Sequence, residues 1–447
     1  MNKKLVHTPE GVRDIYGEEY AKKLRIESLI MENIRSYGYE DIQTPTFEFF
    51  DVFSKEVGTT PSRELYKFFD KEGNTLVLRP DFTPSIARCA AKYFPETDVP
   101  VRFCYMGNIF TNNSNLQGKL KEATQMGAEL IGDASAEADG EMAAMVIESL
   151  LAAGLKDFQL SVGNVEYFKG ICMEAGLDEE TELELREFIS GKNYFGAEEL
   201  LREKQVAGKY RDALLQVTDL YGSCDALGQA KALVHNERSL EAIGRLEALY
   251  EVLCCYGVEK YVSFDLGMLS KYHYYTGVIF KAYTYGVGDA IVKGGRYDTL
   301  LGRFGKNAPA IGFLVSFLSS LTNTSFLELL SFISSQVIPI SSSSSSVLFA
   351  KRPFPKANVT KDYFYNKKHQ TVDIIRLNGS VELGPMVGLS DVIVDIVETG
   401  STLKENGLAV LEEICPLSAR MIVNQVSMQM QTERIRKLIY EIREHLK

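Results

Sequence analysis

The residues best placed by type and spacing to do chemistry lie late in the chain, in the run VIVDIVETGSTLKENGL. An apolar, strand-like stretch ends in two carboxylates, Asp395 and Glu398, and passes into Thr399, Gly400, Ser401 and Thr402. A TGST segment of this kind can open a helix. Gly400 permits a close approach, and the first amides of a helix face outward without intrahelical acceptors. Those amides, with the hydroxyls of Thr399, Ser401 and Thr402, would hold a phosphate, while a nearby carboxylate would accept ribose hydroxyls. An N-capped helix after a strand accounts for the same Ser/Thr cluster without any ligand.

Elsewhere the residues exclude more than they assign. Gly294 and Gly295 before Arg296, in GGRYD, read as a tight turn into a salt-bridged helix start rather than as a ligand contact. His273, beside Tyr274 and Tyr275, reads as a packed hydrogen-bonding residue, and no catalytic residue is assigned. With five histidines in the whole chain, a multi-histidine metal site is not expected. Seven cysteines, an odd number with the adjacent pair Cys254 and Cys255 and no C-x-x-C spacing, read as reduced thiols of a cytosolic protein. A net charge of −11 weighs against a broad grip on a phosphate backbone. No apolar run behind the initial lysines or later in the chain is long enough for a signal or a span, so a cytoplasmic protein with no membrane segment is expected.

Three regions must position these groups. A helical pattern from Tyr20 to Tyr37 turns at Gly38 into the extended DIQTPTFEF. Strand-like runs follow at Leu65–Phe69, Thr75–Leu78, Val101–Met106 and Ala128–Ile131, with a helix over Thr83–Tyr93. Between about 155 and 260 the pattern reads as a helical insertion, with Leu240, Ile243, Leu246, Leu249 and Leu253 on one face. Strands return at Tyr261–Phe264, Tyr274–Tyr283 and Ala290–Val292, completing an α+β core of closely spaced, antiparallel strands. From Ser319 to Ser346 the chain is serine- and phenylalanine-rich, nearly uncharged, and ends in six consecutive serines. Beyond it, strands at Val347–Ala350, Val372–Ile375, Val392–Ile396 and Met421–Val423 alternate with helices. The last helix carries Ile435, Leu438, Ile439, Ile442 and Leu446 on one face.

Seven blocks, TPEGVRDI, YGYEDIQTPTFE, LRPDFT, QMGAELIG, YYTG, GGRYD and APAIGF, stand in an order that resembles histidyl-tRNA synthetases and their paralogue, the ATP phosphoribosyltransferase regulatory-subunit family. The resemblance runs from about Thr8 to Phe317. It implies a class II aminoacyl-tRNA synthetase-like antiparallel sheet with helices, self-associating through a class II-type dimer interface around Pro45. Adenylate formation builds negative charge on a phosphate and calls for cations at fixed places. Where synthetases carry an Arg and, two positions on, an acidic residue after the strand ending here in GNIF, this chain has Thr111 and Asn113; two further Arg positions hold Ser270 and Ser319. The family's histidine-holding residues map onto Asp81, Thr83, Gln125, Glu129, Tyr274 and Tyr275, although the same side chains could simply pack within the sheet.

The segment from Val347 to Lys447 resembles the latter part of the ATP phosphoribosyltransferase catalytic subunit, and the resemblance makes the TGST run a phosphoribosyl-pyrophosphate loop. The first βα units of that enzyme have no counterpart here. The expected organisation is a regulatory core over 1–318, a disordered Ser-rich linker over 319–346, and a partial α/β phosphoribosyltransferase-like domain over 347–447.

Together the resemblances imply a regulatory subunit acting on the first step of histidine biosynthesis, without aminoacylation and without tRNA. Its expected partners are the catalytic phosphoribosyltransferase chain, in a hetero-oligomer, and histidine as effector. No cofactor is expected in the core; Mg2+ would accompany phosphoribosyl pyrophosphate if the C-terminal segment were active. The alternatives are a fused phosphoribosyltransferase joining ATP to phosphoribosyl pyrophosphate, and a working histidyl-tRNA synthetase.

Overall fold

The computed structural model describes residues 6–54, 60–96, 99–113, 120–191, 193–269, 275–285, 287, 289–316 and 430–445. The linker, most of the phosphoribosyltransferase-like segment including 395–402, and Ser270, His273, Tyr274 and Ser319 lie outside the described residues.

The core is a nine-stranded mixed sheet. Its middle is antiparallel: β5 (Val101–Phe110) pairs with β6 (Glu122–Ile131), then β12 (Ala310–Ser316), β11 (Val292–Arg296), β10 (Val278–Thr284) and β7 (Phe158–Asn164). At its ends, β1 (Glu40–Asp41) joins β5 in parallel, β9 (Val262–Asp265) joins β7 in parallel, and β8 (Tyr221–Gly222) closes the far edge. A small separate sheet orders β2 (Phe47–Phe49), β4 (Thr75–Leu78) and β3 (Lys67–Phe69) with β4 central.

Alternation along the strands assigns the two faces. Met126, Ala128 and Leu130 of β6, with Ile311, Phe313 and Val315 of β12, enter the main apolar core. That core is shared with helices α1 (Gly17–Ser36), α3 (Ala136–Ala152) and α9 (Glu237–Tyr256). The intervening residues, Gln125, Gly127, Glu129 and Ile131, face the other way. There α2 (Thr83–Tyr93) lays Ile86, Ala87 and Ala90 against Phe103, Tyr105, Ile131 and Ala310. The apolar face read at Ile243, Leu246, Leu249 and Leu253 is buried on α9, which begins at the Asn236 cap and ends at Gly257 in a left-handed conformation.

Two expectations are corrected. The stretch from 155 to 260 is not wholly helical: FQLSVGN forms β7, hydrogen-bonded along its length to β10, and Tyr221–Gly222 is the edge strand. The alternation of Leu160 and Val162, both buried, with Gln159 and Ser161 is a two-residue period that the neighbouring helices obscured. The helical addition proper runs from α4 (Val165–Glu174) through α8 (Asp225–Ala232) to α9. The glycine pair of GGRYD is not a turn but the middle of β11. A Cβ at Gly294 would lie 2.4 Å from the Phe280 ring and 2.6 Å from the Gly312 carbonyl. Closeness of neighbouring strands, not a reversal of the chain, requires glycine there. The short helical turn comes later, at Leu301–Phe304.

Arg296 of the same motif ties sheet to helices. Its Nη2 lies 2.6 Å from Asp139 Oδ1 on α3, and Arg245 of α9 meets Asp139 Oδ2, also at 2.6 Å. Asp139 is fully buried. Burial pushes its carboxyl up, and the two guanidiniums oppose that shift. Removing one partner of a buried ion cluster strands the others away from water. The Asp139→Asn substitution is therefore expected to cost about 3–5 kcal/mol. Denaturant unfolding monitored by circular dichroism checks this; a loss within experimental error would show the cluster to be dispensable.

The last helix, α10 (Thr432–His445), leaves much of its apolar stripe uncovered, with Leu438 and Ile442 exposed. Arg436 Nη2 donates to the Asp219 carbonyl at 2.8 Å and its guanidinium lies over the Tyr221 ring.

Candidate functional site

Glu129 sits near the C-terminal end of β6, flanked by Phe103 of β5 and Gly312 of β12, and is 1% exposed. A Cβ at position 312 would fall 1.6 Å from Glu129 Oε2, so glycine there makes the room for the carboxylate. Thr83, at the start of α2, donates its hydroxyl to Glu129 Oε1 at 2.7 Å. The Tyr297 hydroxyl donates to Oε2. Burial pushes the Glu129 carboxyl up to about 8; the Tyr297 and Thr83 donors oppose the shift, and the nearby Asp81 adds to it.

The remaining expected residues gather around this carboxylate. Phe82 N donates to Gln125 Oε1 at 3.2 Å, and Thr83 N to Asp81 Oδ1 at 3.4 Å. Asp81, Thr83 and Gln125 are all buried. Tyr275 is half-buried against Val165, Met268 and Ile279, and a Cβ on Gly295 would lie 2.8 Å from its ring. It also adds to the upward shift of the Tyr105 hydroxyl, whose causes are burial first and then Glu129 and Asp81. The structure thus brings together Asp81, Thr83, Gln125 and Glu129, and sets Tyr275 at their margin. Tyr274 lies outside the described residues.

Tyr297, Tyr105 and Gly312 belong to this cluster and were not anticipated. Tyr297 was hidden by the reading of GGRYD as a turn; once that run is a strand beside β12, its Tyr falls on the Glu129 face. Such an arrangement offers two carboxyl groups, a hydroxyl and an amide. It can hold a cationic or amphoteric small molecule.

At the end of β5, where the sequence resemblance calls for a cation, Asn113 Nδ2 donates to Thr111 Oγ1 at 3.0 Å, and Thr111 N donates to the Lys121 carbonyl at 2.9 Å. These neutral side chains satisfy one another. Among the described residues no cluster of three or more His, Cys, Asp and Glu could hold a metal ion.

A family profile described as histidyl-tRNA synthetase matches residues 11–317. The regulatory subunit of ATP phosphoribosyltransferase from Ruminiclostridium cellulolyticum is 44% identical over 313 residues, 70% of this chain and 75% of that protein. This chain belongs to that regulatory-subunit family. The corresponding subunit of Acetivibrio thermocellus is likewise 44% identical, over 69% of this chain and 74% of its own length. A solved structure from Bacillus halodurans, titled as an ATP phosphoribosyltransferase regulatory subunit/histidyl-tRNA synthetase, superposes with a TM-score of 0.66 at 37% identity, covering 71% of this chain and 82% of that one. Histidyl-tRNA synthetase from Nostoc shares the fold, with a TM-score of 0.60 at 21% identity, over 74% of this chain and 75% of that one. A second profile, ATP phosphoribosyltransferase, matches residues 355–444. The regulatory-subunit family thus accounts for the synthetase-like core, and the last part of the chain resembles the enzyme such subunits are named for.

Glu129 supplies a pH test. Its folded-state value, about 8, lies above the ordinary 4.5. Between these the native state holds a proton that the unfolded state has released. The carboxyl's contribution is fully present below pH 4.5 and is lost as pH rises toward about 8. Melting temperatures from pH 5 to 9 should therefore fall more steeply for the unaltered chain than for Glu129→Gln. Parallel curves would mean that Glu129 is ionised throughout.

Proposed function

We propose that this regulatory subunit binds histidine in the Asp81–Thr83–Gln125–Glu129 pocket and passes that signal to a catalytic ATP phosphoribosyltransferase chain in a hetero-oligomer. The observation that carries the reading is an asymmetry within one sheet face. Each oxygen of the Glu129 carboxyl keeps a hydroxyl donor, while the end of β5, where the likeness to synthetases calls for positive charge, carries the neutral pair Thr111 and Asn113. Removing a donor aimed at transition-state charge costs about 3–4 kcal/mol. A pocket that keeps the amino acid and drops the adenylate cation is a sensor's pocket.

Self-association fits the small sheet. Phe47, Phe49, Phe68 and Phe69 are exposed on β2 and β3, and Phe47 stacks edge-on to Phe68 with centroids 5.7 Å apart. Adjacent exposed aromatics of this kind mark a surface that a second copy would cover. No described helix is long and apolar enough to cross a membrane; a cytoplasmic working place is part of this proposal.

The phosphoribosyltransferase match over 355–444 favours a second reading, in which the chain itself makes phosphoribosyl-ATP with Mg2+ and phosphoribosyl pyrophosphate at Asp395, Glu398 and Thr399–Thr402. One assay separates the two. Phosphoribosyl-ATP formation is measured for the purified chain alone and mixed with a short-form catalytic subunit, each with and without histidine. Activity confined to the mixture and changed by histidine is expected. Steady turnover by the chain alone would establish the second reading instead.

A further inference from the structure

The far edge of the nine-stranded sheet carries a surface that the pocket under α2 does not use. There β8, two residues long, ends the sheet, and the outer side of an edge strand has no further strand to pair with. Tyr221 of β8 and Tyr283 of β10 lie close enough to act on one another: burial first, then Asp265, Asp289 and Tyr221, push the Tyr283 hydroxyl up. Asp289 also meets Lys293 at 3.2 Å. An aromatic patch with carboxylates around it suits an apolar partner that brings its own cations.

Helix α10 is seated on this surface. Arg436 Nη2 donates to the Asp219 carbonyl, two residues before β8, at 2.8 Å, and its guanidinium lies 5.3 Å from the centroid of the Tyr221 ring. Met430, just ahead of the helix, packs on Tyr283 and Ala290, which are 2% and 3% exposed. Arg434 and Lys437 flank Arg436 in the basic run RIRK. The hold is shallow. Leu438 and Ile442 remain exposed, and Arg434 turns back to Gln431 at 3.3 Å. A helix placed only to cover the sheet edge explains Arg436 and Met430, but it would turn its leucine and isoleucine inward, because the burial of an apolar stripe is what fastens a helix to a core.

The origin of the helix says what else fits the seat. All but the last residue of α10 lies within the stretch 355–444 that matches the ATP phosphoribosyltransferase profile. A catalytic chain of that family has its own copy of the matched stretch, and so its own version of this helix. We propose that the Tyr221–Tyr283 edge of the sheet is the docking surface for the corresponding helix of a catalytic phosphoribosyltransferase chain, and that α10 occupies it as a weakly held stand-in. This rests on the hetero-oligomer reading above and says where the two chains meet. The helix of the same chain competes with the helix of the partner, so releasing α10 strengthens the assembly.

Isothermal titration of the full chain with a short-form catalytic subunit tests the proposal. Arg436→Glu removes the hydrogen bond to the Asp219 carbonyl and the contact with the Tyr221 ring, and should tighten binding by about 10-fold. Adding Tyr221→Leu, which keeps apolar bulk and removes the aromatic face, should cancel that gain. Tyr221 also belongs to the edge strand, so a second measurement leaves the seat unaltered: a synthetic peptide of residues 430–447, added in excess to the Arg436→Glu chain, should displace the catalytic subunit. An Arg436→Glu chain that binds no more tightly than the unaltered one, a folded double variant that keeps the gain, or a peptide that displaces nothing would overturn the docking surface and leave the hetero-oligomer standing. Failure of both the unaltered and the Arg436→Glu chain to bind the catalytic subunit would overturn surface and hetero-oligomer together.

Discussion

Placing a carboxyl group in the middle of a nine-stranded sheet is the constraint around which this core is arranged. Burial without hydrogen-bond partners would cost such a group several kcal/mol, and even with partners burial keeps it protonated up to about pH 8. Here Gly312 leaves the space for it, α2 delivers the Thr83 hydroxyl from one side, and the chain leaving β11 delivers the Tyr297 hydroxyl from the other. The register of β6, β12 and β11 is thereby fixed by a polar group as well as by the apolar residues on the opposite face. A one-residue slip would carry Glu129 into the helix-covered core.

The same face shows how a regulatory role can arise from an enzyme-like sheet. Asp81, Gln125 and Glu129 are buried together on the face under α2, whereas Thr111 and Asn113 bond to each other at the distal end of β5. The Glu129 cradle is held by its own donors and by the packing of α2, independently of the end of β5. The Arg296–Asp139–Arg245 cluster binds that sheet to the helices beneath it. A ligand in the cradle therefore acts on a braced scaffold, and any response must travel through elements such as α2 that touch the site directly.

Much of this was legible in the residues, for identifiable reasons. The bounds of α2 follow from Pro84 near its first turn and Pro95 just past its end, and Thr75–Leu78 is a short apolar run between turn residues. Strand β7 was obscured because seven residues of two-residue period are set among long helices with the stronger three- and four-residue period. GGRYD misled because a glycine pair signals a turn locally, while here it answers to the Phe280 ring and the Gly312 carbonyl, neighbours far away in sequence. The ordered family blocks pointed to Asp81, Thr83, Gln125 and Glu129. Nothing local announced Tyr297, whose role depends on which strands lie side by side.

The measurement that tests the central claim most directly follows histidine in two ways on one preparation of the purified chain: equilibrium dialysis for binding, and histidine-dependent ATP–pyrophosphate exchange for activation. A pocket that kept its cradle and lost its phosphate-facing cations should bind histidine saturably and show no exchange above background. Histidine-dependent exchange would contradict the account, because it would place a working adenylate site on a face where the neutral pair Thr111 and Asn113 stands in place of the required charge.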